Sequence, residues 1–101
     1  MKKLDLTSLK NKAWNVIMMD GSELNINKPT QKQLLLLDSY SNKLDKAENI
    51  EDKLNLLNEV ATLILNNNQE CVTYQISDFE EVSINILYAI YLGYIDFIKE
   101  A

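Results

Sequence analysis

The chain has 101 residues, about the length of one domain, and its 47% hydrophobic and 25% charged content excludes a disordered chain and a membrane-like one. It holds no His, no Arg and a single Cys, Cys71, which excludes a His–Cys zinc cluster, a Ser–His–Asp triad, an internal disulfide and an Arg fork for phosphate. The formal net charge of −5 repels a nucleic-acid backbone, and the excess of Lys over acids within residues 1–32 reads as an ordinary solvated end.

Residues 1–12 are Lys-rich. Leu4 and Leu6 alternate with polar neighbours, so this stretch reads either as a short edge strand or as a flexible end. No long apolar run follows Lys2 and Lys3, so no secretory signal is expected, and the lone Cys fits a reducing compartment.

Residues 13–28 read as a β-hairpin turning at Asp20-Gly21. A two-residue turn would set Val16 against Asn25 and Trp14 against Asn27. A three-residue loop, Met19-Asp20-Gly21, sets Trp14 against Ile26 and Val16 against Leu24, with Met18 on the same face. A one-residue slip exchanges the two faces of a strand, and only the second register yields one clean apolar face. It requires Gly21 in the left-handed region, which glycine adopts cheaply.

Lys28-Pro29 ends the hairpin, because Pro29 cannot donate to a ladder. Thr30 and Gln33 form a capping box for a first helix over about 31–47 with a stripe of Leu37, Tyr40, Leu44 and Ala47. The run Leu34–Leu37 is apolar all round and is expected to be covered on more than one side. Ser39, Ser41 and Asn42 are weak helix formers where a break is expected to be easiest.

Asn49 caps a second helix over about 50–66, where Ile50, Leu54, Leu57, Ala61 and Ile64 recur at helical spacing. Asn66-Asn67-Asn68 ends it. Val72, Tyr74 and Ile76 alternate, so residues 71–76 read as a third strand or an extended linker. Ser77-Asp78-Phe79-Glu80 resembles a second capping box and predicts a third helix over about 78–99. Its apolar-rich stretch, Ile84–Ile98, is interrupted by Asn85, Gly93 and Asp96 and is shorter than the roughly 20 apolar residues that span a bilayer.

No catalytic, cofactor-binding or metal site emerges, so no cofactor is expected. Asp78, Glu80 and Glu81 are explained by the dipole of a helix start. Cys71 has no His partner, and Asp20-Gly21-Ser22-Glu23 lacks the ligand series of a calcium loop. Trp14 belongs to the apolar hairpin face and is expected in the core. The last helix stands out. A helix apolar on nearly every side is the hub of a core or the hub plus an interface. Tyrosines suit an interface, where the ring packs while the hydroxyl stays wet. Tyr88, Tyr91, Tyr94, Ile95 and Ile98 are the candidate protein-interaction residues, part of them expected to stay accessible to a second copy or to an apolar partner helix. Gly93 would allow a partner backbone, or a neighbouring element, to approach closely. If the helix is only a hub, the turn Leu34–Leu37 is the next candidate.

The expected fold is α+β: an N-terminal β-hairpin, with or without a third short strand, packed on a mainly helical three-helix bundle. One domain is expected over residues 1–101, with the hairpin over 13–28 and the helical part over 30–101.

The stretch Val16-Ile17-Met18-Met19-Asp20-Gly21-Ser22-Glu23-Leu24-Asn25-Ile26-Asn27-Lys28-Pro29-Thr30, followed by some 70 residues of acidic helix ending Tyr94-Ile95-Asp96-Phe97-Ile98, resembles the small tail assembly chaperones of long-tailed bacteriophages and prophages of Gram-positive bacteria. The resemblance implies a non-enzymatic virion-assembly protein of the host cytoplasm. Its implied partners are the tape measure protein and tail-tube subunits, with no nucleic acid and no membrane, and it would be absent from the mature particle. The alternative is a small cytoplasmic regulatory or adaptor protein that docks on a protein partner.

Overall fold

The computed structural model describes residues 12–100. The stretch read as an edge strand or a flexible end, Lys12 apart, lies outside the described residues. Strands β1 (Ala13–Ile17) and β2 (Glu23–Asn27) form an antiparallel hairpin, followed by helices α1 (Gln31–Lys46), α2 (Ile50–Leu65) and α3 (Ile84–Lys99), with a 3-10 turn at Ile76–Phe79. This is the expected α+β arrangement.

The hairpin takes the three-residue loop. Trp14 pairs with Ile26 and Val16 with Leu24, while Asn15–Asn25 and Ile17–Glu23 occupy the other face. The Gly21 N–H donates to the Met18 carbonyl and the Met18 N–H to the Ser22 carbonyl, at 2.9 and 2.7 Å. Asp20 Oδ1 accepts from both the backbone and the hydroxyl of Ser22, and the hydroxyl bond chiefly holds its carboxyl below the ordinary range. Gly21 has φ of +88° with open space where a Cβ would stand. The Gly21→Val penalty is therefore one of backbone conformation alone. It should destabilise the protein by about 1 kcal/mol or more, read as an unfolding midpoint in urea.

Thr30 and Gln33 complete their capping box in both directions, and Asn49 caps α2 through the Asp52 N–H. Helix α1 runs unbroken through Ser39, Ser41 and Asn42. Helix α2 is the centre of the molecule, touching α1, α3, the 3-10 turn and β2. Leu57, Val60, Ala61, Ile64 and Leu65 are sealed from solvent, and Leu24, Ile26, Leu37, Phe79, Leu87, Ile90 and Tyr94 close around them.

The structure decides between the two readings of residues 71–76 and corrects two expectations. Residues 71–76 form no strand. The chain meets the hairpin earlier, where Asn67–Gln69 runs along the outer edge of β2. The Asn27 N–H donates to the Asn67 carbonyl, the Gln69 N–H donates to the Asn25 carbonyl, and Ile26 bridges to Asn68. Side chains of the Asn run then hold the following segment in a loop. Asn66 Oδ1 accepts from the Tyr74 N–H at 2.6 Å and Asn68 Oδ1 from the Val72 N–H at 3.0 Å. Asparagine amides imitate a backbone partner, so this segment needs no strand neighbour.

The last helix starts at Ile84, not near residue 78. The Asp78 carboxylate accepts from the Gln75 N–H at 2.7 Å and closes a single 3-10 turn. That turn drops Phe79 into the core, tilted against Tyr74 at 5.5 Å. Extended backbone at Ser83 then begins α3.

Finally, Leu34, Leu35 and Leu36 are exposed, Leu35 by 73%, so only Leu37 of that turn is covered. Helix α1 packs on the core along the stripe through Leu37, Tyr40 and Leu44, which leaves the other three leucines of the run outside it.

Candidate protein-interaction surface

Helix α3 sits between two environments. Its inner side faces the hairpin, where Trp14 lies against Tyr94 and Phe97 with ring centroids 5.8 and 6.4 Å apart. Gly93 makes this possible. A Cβ there would come within 2.7 Å of Trp14 Cζ2, so the close neighbour that Gly93 admits is the indole of its own chain. Lys28 closes the far end, its ammonium 5.3 Å from the centre of the Phe97 ring and donating to the Glu100 carbonyl.

Of the five candidate residues, Tyr94 is buried, with 2% of its surface accessible. Its hydroxyl donates to the Asn27 carbonyl and accepts from Asn67 Nδ2. Asn67 Nδ2 also reaches the Asn27 carbonyl and Gln33 Oε1, at 3.1 and 3.2 Å. One amide and one phenol thus join the end of β2, the start of α1, the end of α2 and the middle of α3. Burial pushes the Tyr94 phenol up to about 12, against the opposing effect of the Asn67 hydrogen bond.

The remaining candidates spread over the outer sides of α3. Tyr91 and Ile98 are half-buried against the core. Tyr88 is exposed, and Ile95 stands half-buried in a groove beside α1. That groove encloses about 410 Å³ and is lined by Leu34, Leu35, Leu37, Asp38, Ser41 and Ile95. Leu34, Asp38 and Ser41 form one stripe of α1. Tyr88, Leu92 and Ile95 form one stripe of α3, with Leu92 53% exposed.

Sequence reading placed Ile95 and Tyr88 at this surface and missed Leu92, whose exposure depends on which side of α3 the hairpin covers. It also named Leu34–Leu37 only as a substitute for the α3 patch. In the structure Leu34, Leu35 and Leu37 line one groove with Ile95, the one α3 candidate that reaches it.

Among the described residues no three His, Cys, Asp or Glu side chains converge as metal ligands. Asp78 holds its turn, and Cys71 lies exposed in the loop after α2. Glu70 accepts from the backbone and side-chain N–H groups of Asn25 at 2.8 and 2.9 Å. The backbone bond is the main reason its carboxyl lies below the usual range. No helix among the described residues is long and apolar enough to cross a membrane.

The exposed sides of α1 and α3 thus share one apolar groove. Comparisons of the chain with protein-family models, with curated proteins and with solved structures find no match.

Proposed function

We propose that the chain is a non-enzymatic tail assembly chaperone of a long-tailed bacteriophage or prophage of Gram-positive bacteria. In this reading it acts in the host cytoplasm, binds apolar helical segments of the tape measure protein and assists assembly of the tail tube. The reading rests on the resemblance carried by the stretch Val16–Thr30. The observation that supports it is the apolar groove between α1 and α3, walled by Leu34, Leu35 and Ile95, with Leu92 and Tyr88 exposed on the same stripe of α3 as Ile95. Contiguous exposed apolar surface of this kind marks interaction sites in soluble proteins. Burial of leucines supplies affinity, and the net charge of −5 keeps the unbound protein dispersed.

The test is co-purification with a tape measure protein of a long-tailed phage of a Gram-positive host, using Leu35→Lys and Leu92→Lys. Both positions are exposed, so the fold should survive, as far-UV circular dichroism will report. Each substitution should weaken binding by about tenfold or more, the scale of an interface anchor. Unchanged capture by the double variant would remove this groove from the interface. Failure of the unaltered chain to bind the tape measure protein would favour a regulatory or adaptor role.

A further inference from the structure

The two long edges of the hairpin differ. The ladder phase is set by the Met18–Ser22 bond and by the pairs Val16–Leu24 and Trp14–Ile26, so Asn25 and Asn27 turn their backbone groups outward from β2. Those groups are closed by Asn67, Gln69 and Glu70. On β1 the outward residues are Ala13, Asn15 and Ile17, opposite Asn27, Asn25 and Glu23. Among the described residues, none bonds to their outward N–H and C=O groups, and the sheet has no strand beyond β1.

Proteins usually blunt such an edge with a charge or a proline. Strand β1, Ala-Trp-Asn-Val-Ile, has neither. Beside it lies a groove of about 260 Å³ whose lining includes Trp14 and Val16 on one side and Ile86, Ala89 and Ile90 of α3 on the other. Helix α3 therefore carries an apolar strip next to an edge that no described residue pairs with, in the layer a third strand would cover.

We infer that β1 and α3 together form a second docking site, separate from the α1/α3 groove, that takes an extended peptide as an added antiparallel strand. The peptide's backbone pairs with Ala13, Asn15 and Ile17, and its alternate apolar side chains enter the groove floored by Ala89. An antiparallel strand starts beside the hairpin turn, where Asp20 and Glu23 are exposed, and finishes near Lys12. The site therefore favours a basic residue at the peptide's N-terminal end. Backbone bonds supply affinity and the groove supplies selectivity, as in other strand-addition sites. This inference does not depend on the chaperone reading.

The experiment titrates the full chain into a fluorescently labelled peptide, Lys-Val-Thr-Val-Thr-Val-Thr, following anisotropy. Trp14, the chain's single tryptophan, gives a second signal from within the groove. Binding is expected, and it should weaken about tenfold or more when the edge-facing amides of the peptide are N-methylated. Ala89→Glu should weaken it similarly. Ala89 is exposed, so circular dichroism and the thermal midpoint should stay unchanged. A folded chain that does not bind the peptide overturns the inference, as does equal binding of the N-methylated peptide or by Ala89→Glu. Self-association that Ala89→Glu abolishes, without peptide binding, would assign the edge to a second copy and overturn it too.

Discussion

Tyr94→Ala should be among the most damaging single substitutions in the chain, costing about 3–5 kcal/mol by analogy with other buried aromatics cut to alanine. The ring is enclosed between Trp14 and Phe97, and its hydroxyl bonds to the Asn27 carbonyl at the junction of four elements. Tyr88→Ala, on the exposed side of the same helix, should cost well under about 1 kcal/mol, as surface changes generally do. Chemical unfolding of both variants checks the contrast. Near-equal losses would mean that α3 does not present its Tyr94 side to the core.

Tyr94→Phe separates the ring from the hydroxyl. It should cost about 1 kcal/mol at neutral pH, because Asn67 Nδ2 still satisfies the Asn27 carbonyl. The sign of the pH effect follows from the raised phenol. An unfolded tyrosine ionises near 10.0, whereas the folded Tyr94 keeps its proton up to about 12. Between those values the unfolded chain binds fewer protons, so stability is fully present below pH 10.0 and is lost as pH rises toward 12. Tyr94→Phe should decline less steeply over that window. Burial also raises the phenols of Tyr40 and Tyr74, so some decline should remain in both proteins.

Leu57→Ala should cost about 2–5 kcal/mol in the same measurement. Leu57 is fully buried on the helix that touches α1, α3, the 3-10 turn and the hairpin. With neighbours on several sides, the cavity cannot collapse by moving one element, which places the expected loss toward the upper end. A loss below about 1 kcal/mol would show that the stripe Leu57–Val60–Ala61–Ile64 is not the core stripe.

Much of this architecture was legible because its signals are local. The apolar alternation of Trp14, Val16, Leu24 and Ile26, with one glycine at the turn, selects a single register, since any slip turns a polar face inward. Thr30 and Asn49 mark helix starts through hydrogen bonds spanning three residues. The start of α3 was misread for a related reason. Asp78 does make a capping-type bond, but to a 3-10 turn that ends once Phe79 is buried, and tertiary packing of that ring decides where the helix resumes.

The candidate surface was legible only as an excess. Helix α3 holds more apolar residues than it buries, and the sequence is enough to expect an exposed remainder. By itself the sequence determined the hairpin, its register, three helices and the absence of His- or Arg-based chemistry, because these depend on residue identity and on spacings of a few positions. Only the tertiary structure decided that α2 is the central helix, that Tyr94 is buried while Leu92 is exposed, and that Leu34 and Ile95 share a groove. It also decided that the Asn run after α2 closes the β2 edge while β1 stays open among the described residues. The physical reason is that an apolar side chain carries no label for its partner. Which of several apolar faces is buried depends on the surfaces that distant segments bring against it.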